Sequence, residues 1–177
     1  MDKKQIKNTR DGYHLNSAYW QNKKKTIPPL SDKSFQVAFG MLLGDASIYR
    51  VSREAALKFE QGQKQRYFLY HLFDIFQSYC FMKEPGIRLV DGHIKSYWFQ
   101  TFSHQSFSHL FDILCQKSGN KWKKTIRKGI LTSYLTPRAL AYWIMCDGSL
   151  QNDEKSLILH TSGFSLEENN VLSDELN

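Results

Sequence analysis

Apolar and polar positions follow two periods along this chain. Residues 33–44, KSFQVAFGMLLG, are apolar on nearly every side, which predicts a short helix buried all round. Ser31 or Asp32 can cap it after Pro28-Pro29, and it ends at Gly44-Asp45. SIYRVS and AALKFEQG read as two strands joined by a polar turn near Arg53-Glu54. Over residues 64–81 the apolar positions Phe68, Leu69, Leu72, Phe73, Phe76 and Tyr79 fall at helical spacing. Residues 86–90 and 94–102 predict a second hairpin around the tight-turn pair Asp91-Gly92, and a helix follows at about 105–117. The basic stretch 121–128 interrupts the pattern, which then restarts. Thr136 caps and Pro137 opens a second almost wholly apolar helix, RALAYWIMCDG. Ser149 onward and LILHTSG read as a hairpin. FSLEENNVLSDEL is a helix whose Ser165 and Glu168 have the spacing of a capping box.

The restart is an internal repeat. FGMLLGDASI, a strand and Gly62 stand against YWIMCDGSL, a strand and Gly163. In both copies one aspartate, Asp45 or Asp147, sits where an apolar helix ends. A carboxylate there faces the negative end of the helix dipole, a mildly unfavourable place. Either residue alone reads as a turn former before Ala46 or Gly148. The same cost in the same place twice points to chemistry. If the two helices pack side by side, both carboxylates meet at one end. Such a pair repels unless a cation lies between its members. Hard oxygen ligands with open positions favour Mg²⁺, which activates water beside a phosphodiester.

Charge narrows the partner. The net charge is +7, but residues 1–128 hold 22 Lys and Arg against 10 Asp and Glu, and residues 129–177 hold 2 against 7. The basic clusters are Lys3, Lys4, Lys7 and Arg10, then Lys23-Lys24-Lys25, then Lys121, Lys123, Lys124, Arg127 and Lys128. Interspersed Trp, Tyr and Gln favour a nucleic-acid partner over a merely solvated face. Cys80, Cys115 and Cys146 form no CxxC pair and read as reduced core thiols. The histidines lack metal-site spacing. No stretch reaches the ~18 apolar residues of a membrane span, and the N-terminus has no apolar core of a secretory signal.

Phe39-Gly40-Met41-Leu42-Leu43-Gly44-Asp45-Ala46 and Leu140-Ala141-Tyr142-Trp143-Ile144-Met145-Cys146-Asp147-Gly148 resemble the two motifs of a single-chain LAGLIDADG homing endonuclease. Tyr134-Leu135-Thr136-Pro137 ahead of the second motif and Thr101-Phe102-Ser103-His104-Gln105 are similar to one branch of that family. The resemblance covers roughly residues 34–177. It implies an α+β fold of two pseudo-symmetric αββαββα halves, packed through the motif helices, with saddle-shaped antiparallel sheets. The expected organisation is a basic N-terminal extension over 1–30, a first half over 31–120, a basic linker over 121–135 and an incomplete second half over 136–177. Asp45 and Asp147 are implied to bind Mg²⁺, or Mn²⁺, and to cut opposite strands of a double-stranded DNA target. Lys124 is implied to position or polarise the attacking water, against a simpler role as a phosphate contact. Gly40 and Gly44 suit close helix packing, and their second-half counterparts Tyr142 and Cys146 make that contact asymmetric.

Alternation within AALKFEQ makes Lys58 a groove-facing candidate. Arg and Lys read guanine edges and Gln reads adenine, which adds Arg50, Arg53, Gln61, Gln63 and Lys95. Lys121 and Lys123 join them from the basic stretch. Tyr97 and Trp98 read as core. The leading function is a divalent-metal-dependent DNA endonuclease that makes a site-specific double-strand break. The alternatives are a truncated, non-cleaving DNA-binding remnant and an RNA maturase that assists intron splicing. The expected state is a monomer, or a chain paired with another that supplies second-half strands. The resemblance implies an organelle, mitochondrion or chloroplast, with the gene encoded there.

Overall fold

A computed structural model of the chain describes residues 11–14, 17–51, 53–152 and 155–177. Lys3, Lys4, Lys7 and Arg10 of the first basic cluster lie outside these residues. The described elements are α1 (Ala18–Thr26), α2 (Asp32–Leu43), β1 (Ser47–Val51), β2 (Glu54–Gly62), α3 (Arg66–Phe76), β3 (Gly86–Val90), β4 (His93–Gln100), α4 (Gln105–Leu114), β5 (Cys115–Ser118), β6 (Lys121–Lys124), α5 (Ile130–Tyr134), α6 (Pro137–Asp147), β7 (Gly148–Leu150), β8 (Leu157–Leu159) and α7 (Leu166–Leu176). This is an α+β fold with antiparallel sheets. Among the described residues no helix is long and apolar enough to cross a membrane.

The chain forms two compact units, one of residues 1–29 and 47–108, the other of residues 30–46 and 109–177. The units cut across the sequence repeat. The reason lies in α2, which packs on α6 and so groups with the second repeat rather than with its own strands.

The first unit is built on a four-stranded sheet in the order β1-β2-β4-β3. Period-two alternation along β2 buries Ala55, Leu57, Phe59 and Gln61 and leaves Lys58 and Glu60 on the opposite, half-exposed face. Helix α3 covers the buried face with Leu69, Leu72, Phe73 and Phe76, the stripe the helical spacing predicts. Phe59 stacks on Phe99 with ring centroids 4.7 Å apart and on Phe76 at 5.1 Å. Truncating such a ring to alanine costs about 3–5 kcal/mol. The turn at Asp91-Gly92 closes the β3–β4 hairpin, with φ of 50° and 78° at its two residues, as a type I′ turn requires. The described part of the basic N-terminal extension is folded. It contains α1, whose Trp20 is buried with its ring edge-on to Phe81 at 5.0 Å.

In the second unit α2 and α6 pack together. Ser31 caps α2 and Thr136 caps α6 through their side-chain oxygens. Residues 37–43 of α2 are buried, as expected. Helix α6 departs from expectation: only Ala139 and Trp143 are fully buried, and Met145 is 49% exposed. Its apolar stripe serves the α2 contact and its other face meets solvent. Two further expectations are corrected here. The helix predicted to 117 ends at Leu114, and the stretch read as a basic linker begins with a strand. β5 and β6 pair as a hairpin, with Cys115 opposite Lys124, closed by Gly119 at φ 59°. The remainder of that stretch holds α5. Helix α7 packs on α5 and feeds it carboxylates: Glu175 accepts the N–H groups of Gly129, Leu131 and Thr132. Charge at a helix N-terminus is favourable there.

Candidate functional site

The site begins where α2 runs out. The chain leaves the helix at Gly44 (φ −100°, ψ −125°), whose N–H returns to Gly40 O, and Ala46 N–H returns to Met41 O at 2.8 Å. Between them Asp45 projects to the surface. Three carbonyls at this end would otherwise lack partners. Lys124 of β6 meets all three: its Nζ donates to Leu42 O at 2.8 Å, Ala46 O at 3.0 Å and Gly44 O at 3.2 Å. An ammonium has three protons, so every one is engaged. Its positive charge also sits at the negative pole of α2. Burial pushes the Lys124 ammonium below the ordinary lysine range, while the neighbouring Cys115 and the carboxylates of Asp147 and Asp45 pull it back up.

Asp147 is the last residue of α6 and is half-buried. This end is closed by backbone: Gly148 N–H returns to Ile144 O, and His160 N–H donates to Asp147 O at 2.8 Å. The His160 ring in turn lies 2.8 Å from Ser149 Oγ through Nε2. The Asp147 carboxyl is pushed above the usual aspartate range, first by burial and next by the negative charge of Asp45. Trp143, Lys124 and His160 pull it back down. Trp143 Nε1 is buried without a hydrogen bond of ordinary geometry, so its pull on Asp147 is that of a nearby dipole.

Small residues bring the two ends together. A Cβ on Gly40 would collide with the backbone of Ala139. A Cβ on Gly44 would lie 2.6 Å from Cys146 Cβ and 3.2 Å from Asp147 Oδ2. The contact is therefore asymmetric, glycine on α2 against larger residues on α6. Cys146 fills the gap with its thiol 3.4 Å from Met41 Sδ. Burial above all pushes that thiol up to about 12, so it stays a neutral packing group at neutral pH. Cys80 and Cys115 are buried and none of the three is in a disulfide. Asp45 and Asp147 are the hard oxygen donors of the site. Among the described residues no group of three or more His, Cys, Asp or Glu gathers to hold a metal.

Within the first unit the candidate nucleic-acid contacts do not share one face. In the first unit Lys58 lies on the half-exposed sheet face and Arg53 in the β1–β2 turn. Arg50 pairs with Ala55, so its strand position belongs to the other face, at the exposed edge. Gln61 is only 4% exposed, on the Leu57 and Phe59 side, and as placed it cannot reach a base edge. Gln63 is exposed in a 3₁₀ turn that follows β2, and Lys95 is the extra residue of a bulge opposite Arg88 and Leu89. In the second unit Lys121 and Lys123 are exposed on β6, flanking Trp122.

Sequence reasoning missed a charged cluster on the half-exposed sheet face. Glu60 binds Lys58 at 2.8 Å, Arg88 at 3.0 Å and Ser96 Oγ at 2.6 Å. These hydrogen bonds, that of Lys58 foremost, lower the Glu60 carboxyl to about 2. A cleft of about 380 Å³ there is lined also by Trp98 and Gln100. Tyr97 is buried as expected, but Trp98 is half-buried on this face. The Lys58-x-Glu60 alternation was a signal for part of the cluster; Arg88 and Ser96 depend on cross-strand register.

Residues 35–177 match a family model described as the LAGLIDADG DNA endonuclease family. A probable intron-encoded DNA endonuclease 3 of Mycosarcoma maydis is 50% identical over 88 residues, half of this chain and 65% of the relative. A probable intron-encoded endonuclease 1 of Wickerhamomyces canadensis is 31% identical along all of this chain and 79% of its own length. The cytochrome b mRNA maturase bI2 of Saccharomyces cerevisiae is 30% identical over 76% of this chain but only 34% of its own length. The solved structure of the homing endonuclease I-WcaI bound to its DNA recognition sequence superposes with a TM-score of 0.79 at 30% identity, covering 94% of this chain and 75% of that one.

Proposed function

Because the chain belongs to the LAGLIDADG DNA endonuclease family, we propose that it is an intron-encoded homing endonuclease that makes a site-specific double-strand break in DNA by divalent-metal-dependent hydrolysis. The observation that carries this reading is the carboxylate pair at one end of the α2–α6 contact, close enough that the charge of Asp45 raises the Asp147 carboxyl. That mutual repulsion is relieved by a cation between them. The donor set fits Mg²⁺ or Mn²⁺, which are held by one or two carboxylates and completed by water and phosphate oxygens. Asp45 and Asp147 would hold it, and when bound it supplies a Lewis acid and a more acidic water.

The chain's own residues do the rest. Asp45 and Asp147 each present a carboxylate to one strand, so two phosphodiesters can be broken. Lys124 spends its protons on the carbonyls of Leu42, Gly44 and Ala46, and so fixes the turn that carries Asp45. In this reading it is a positioning residue rather than a direct partner of the attacking water. Lys58 and Arg88, held by Glu60, offer donors to guanine edges or phosphates. Intron-encoded relatives and the cytochrome b maturase support a mitochondrial or other organellar gene.

A plasmid carrying the recognition sequence, recovered by selection from a randomised library, tests the proposal. Linear product is expected with Mg²⁺ and none with EDTA. Asp45→Asn and Asp147→Asn should each lower double-strand cutting by at least about 10³-fold, the loss of several kcal/mol of charge stabilisation. Wild-type rates in Asp45→Asn would overturn the mechanism. The maturase relative favours a second reading, in which the same fold assists splicing of intron RNA. Splicing that survives both substitutions in a chain that never cuts would establish it instead.

A further inference from the structure

The first unit contains a second basic recess, at the β1–β2 turn end of the sheet. It has a volume of about 630 Å³ and lies where the C-terminal part of α1 meets the β1–β2 turn and residues 103–105. It shares no lining residue with the Lys58–Glu60 cleft. Its cations are Lys24, Lys25 and Arg53, and its carboxylate is Glu54. Lys24 is drawn out of water against aromatic rings: its Nζ lies 5.4 Å from the Phe102 ring centre and 5.8 Å from that of Phe81. Among the described residues its one hydrogen bond is to Ser103 Oγ at 3.2 Å. Burial lowers its pKa, with only a partial offset from the charge of Glu54. Among the described residues, none of the three cations has a carboxylate within ion-pair distance. A cation carried into a partly dry recess without a counter-ion is costly unless an anion completes it.

We propose that this recess binds a phosphodiester group of a nucleic-acid strand, with Lys24, Lys25 and Arg53 as its cations and Ser103 and Gln105 as neutral donors. The proposal rests on the reading of the chain as a nucleic-acid enzyme and adds an anchor from α1, outside the repeat. Three cations against one carboxylate set the sign of the ligand. Amide and hydroxyl groups beside guanidinium and ammonium groups are the donor set that grips phosphate oxygens without reading sequence. The recess is open to the surface, as a continuous strand requires.

Among the described residues Lys25 and Arg53 make no side-chain hydrogen bond or ion pair, so their loss should spare the fold. The test is the salt dependence of binding for wild type and the Lys25→Ala/Arg53→Ala double variant, with thermal melting as the folding control. The probes are the target duplex, a single-stranded RNA of the same sequence and inorganic phosphate. The double variant should melt as wild type does. Its slope of log affinity against log salt should fall by about 1–2, since each lost phosphate contact removes about 0.9 from the slope on duplex DNA. A change with the duplex assigns the phosphate to DNA, and a change with RNA alone assigns it to an RNA strand; either supports the site. Identical slopes with both nucleic acids, or a response to inorganic phosphate alone, would overturn it. Identical slopes with intact cutting would leave the endonuclease reading standing. Loss of cutting in Asp45→Asn is measured separately and does not depend on this recess.

Discussion

The ends of α2 and α6 carry the same side chain in different surroundings. Asp45 projects to the surface from a turn whose three carbonyls are tied to one half-buried lysine. Asp147 is the last residue of its helix, half-buried, with its backbone closed by His160 and Gly148. One end is tied by a cation brought from a hairpin; the other is closed by backbone N–H groups of Gly148 and His160. The repeat thus preserves the carboxylate and its place on the helix, not the means of holding it. A pseudo-symmetric pair need not be chemically equivalent, and each end can be perturbed separately.

The largest effect on folding is expected at the helix crossing, where the asymmetry is steric. Gly40→Ala drives a methyl into the Ala139 backbone, which cannot swing aside as a flexible side chain would. Overpacking of this kind costs about 1–3 kcal/mol, and an immovable backbone places it at the upper end. The mirror change, Ala139→Gly, should cost about 1 kcal/mol, the helix propensity difference. Urea denaturation of both variants measures the ratio. Equal losses would mean that α2 and α6 meet as equivalents.

Next in size is the electrostatic asymmetry. Lys124→Ala should slow cutting about 10–100-fold, the usual effect of losing a group that orients a ligand from behind. His160→Ala, whose backbone contact to Asp147 survives truncation, should cost less than about 10-fold. The pH–rate profile separates positioning from direct chemistry. If Lys124 only ties carbonyls, Lys124→Ala lowers the profile without moving its limbs. A shifted limb would show that the ammonium acts on the water.

Most of the first repeat was legible in the sequence because its signals are local. The all-apolar α2, the alternating β2 and the helical stripe of α3 each buries the face its period implies. The β5–β6 hairpin was not legible. Its strands have four residues each, are rich in lysine and carry little alternation, so only pairing reveals them. That hairpin is also what delivers Lys124 to α2, so its three carbonyl partners could not be read from spacing. Gln61 shows the opposite case. Its parity with Leu57 and Phe59 was visible, yet side-chain chemistry suggested a base contact and the pleat put it on the buried face. The Glu60–Arg88–Ser96 contacts needed the register of three strands at once. The exposed side of α6 was hidden for another reason: apolar content alone does not say which face has a neighbour.

The smallest expected effect is thermal, and it asks whether Asp147 is held at a cost. Its carboxyl lies above the ordinary aspartate range because burial and Asp45 disfavour the ionised form. A carboxyl whose folded pKa is raised makes its negative charge a destabilising feature. The cost is present in full above the folded pKa and is absent below the unfolded value of 3.8. Stability contributed by this group therefore rises as pH falls through that window, the reverse of an ion-paired carboxylate such as Glu60. Glu60 instead contributes stability above the unfolded 4.5 and loses it as pH falls toward about 2. Asp147→Asn removes the destabilising charge while it keeps the shape. Solvent screens this half-exposed charge and leaves at most a fraction of a kcal/mol, so the metal-free variant should melt about 1 °C higher than wild type at neutral pH. The gap should close near pH 4. Adding Mg²⁺ should raise the melting point of wild type and leave the variant nearly unmoved, because only a chain that binds the ion in its folded form is stabilised by it. A variant that melts lower than wild type at neutral pH without metal would show that Asp147 is stabilised where it sits and that the two ends are alike after all.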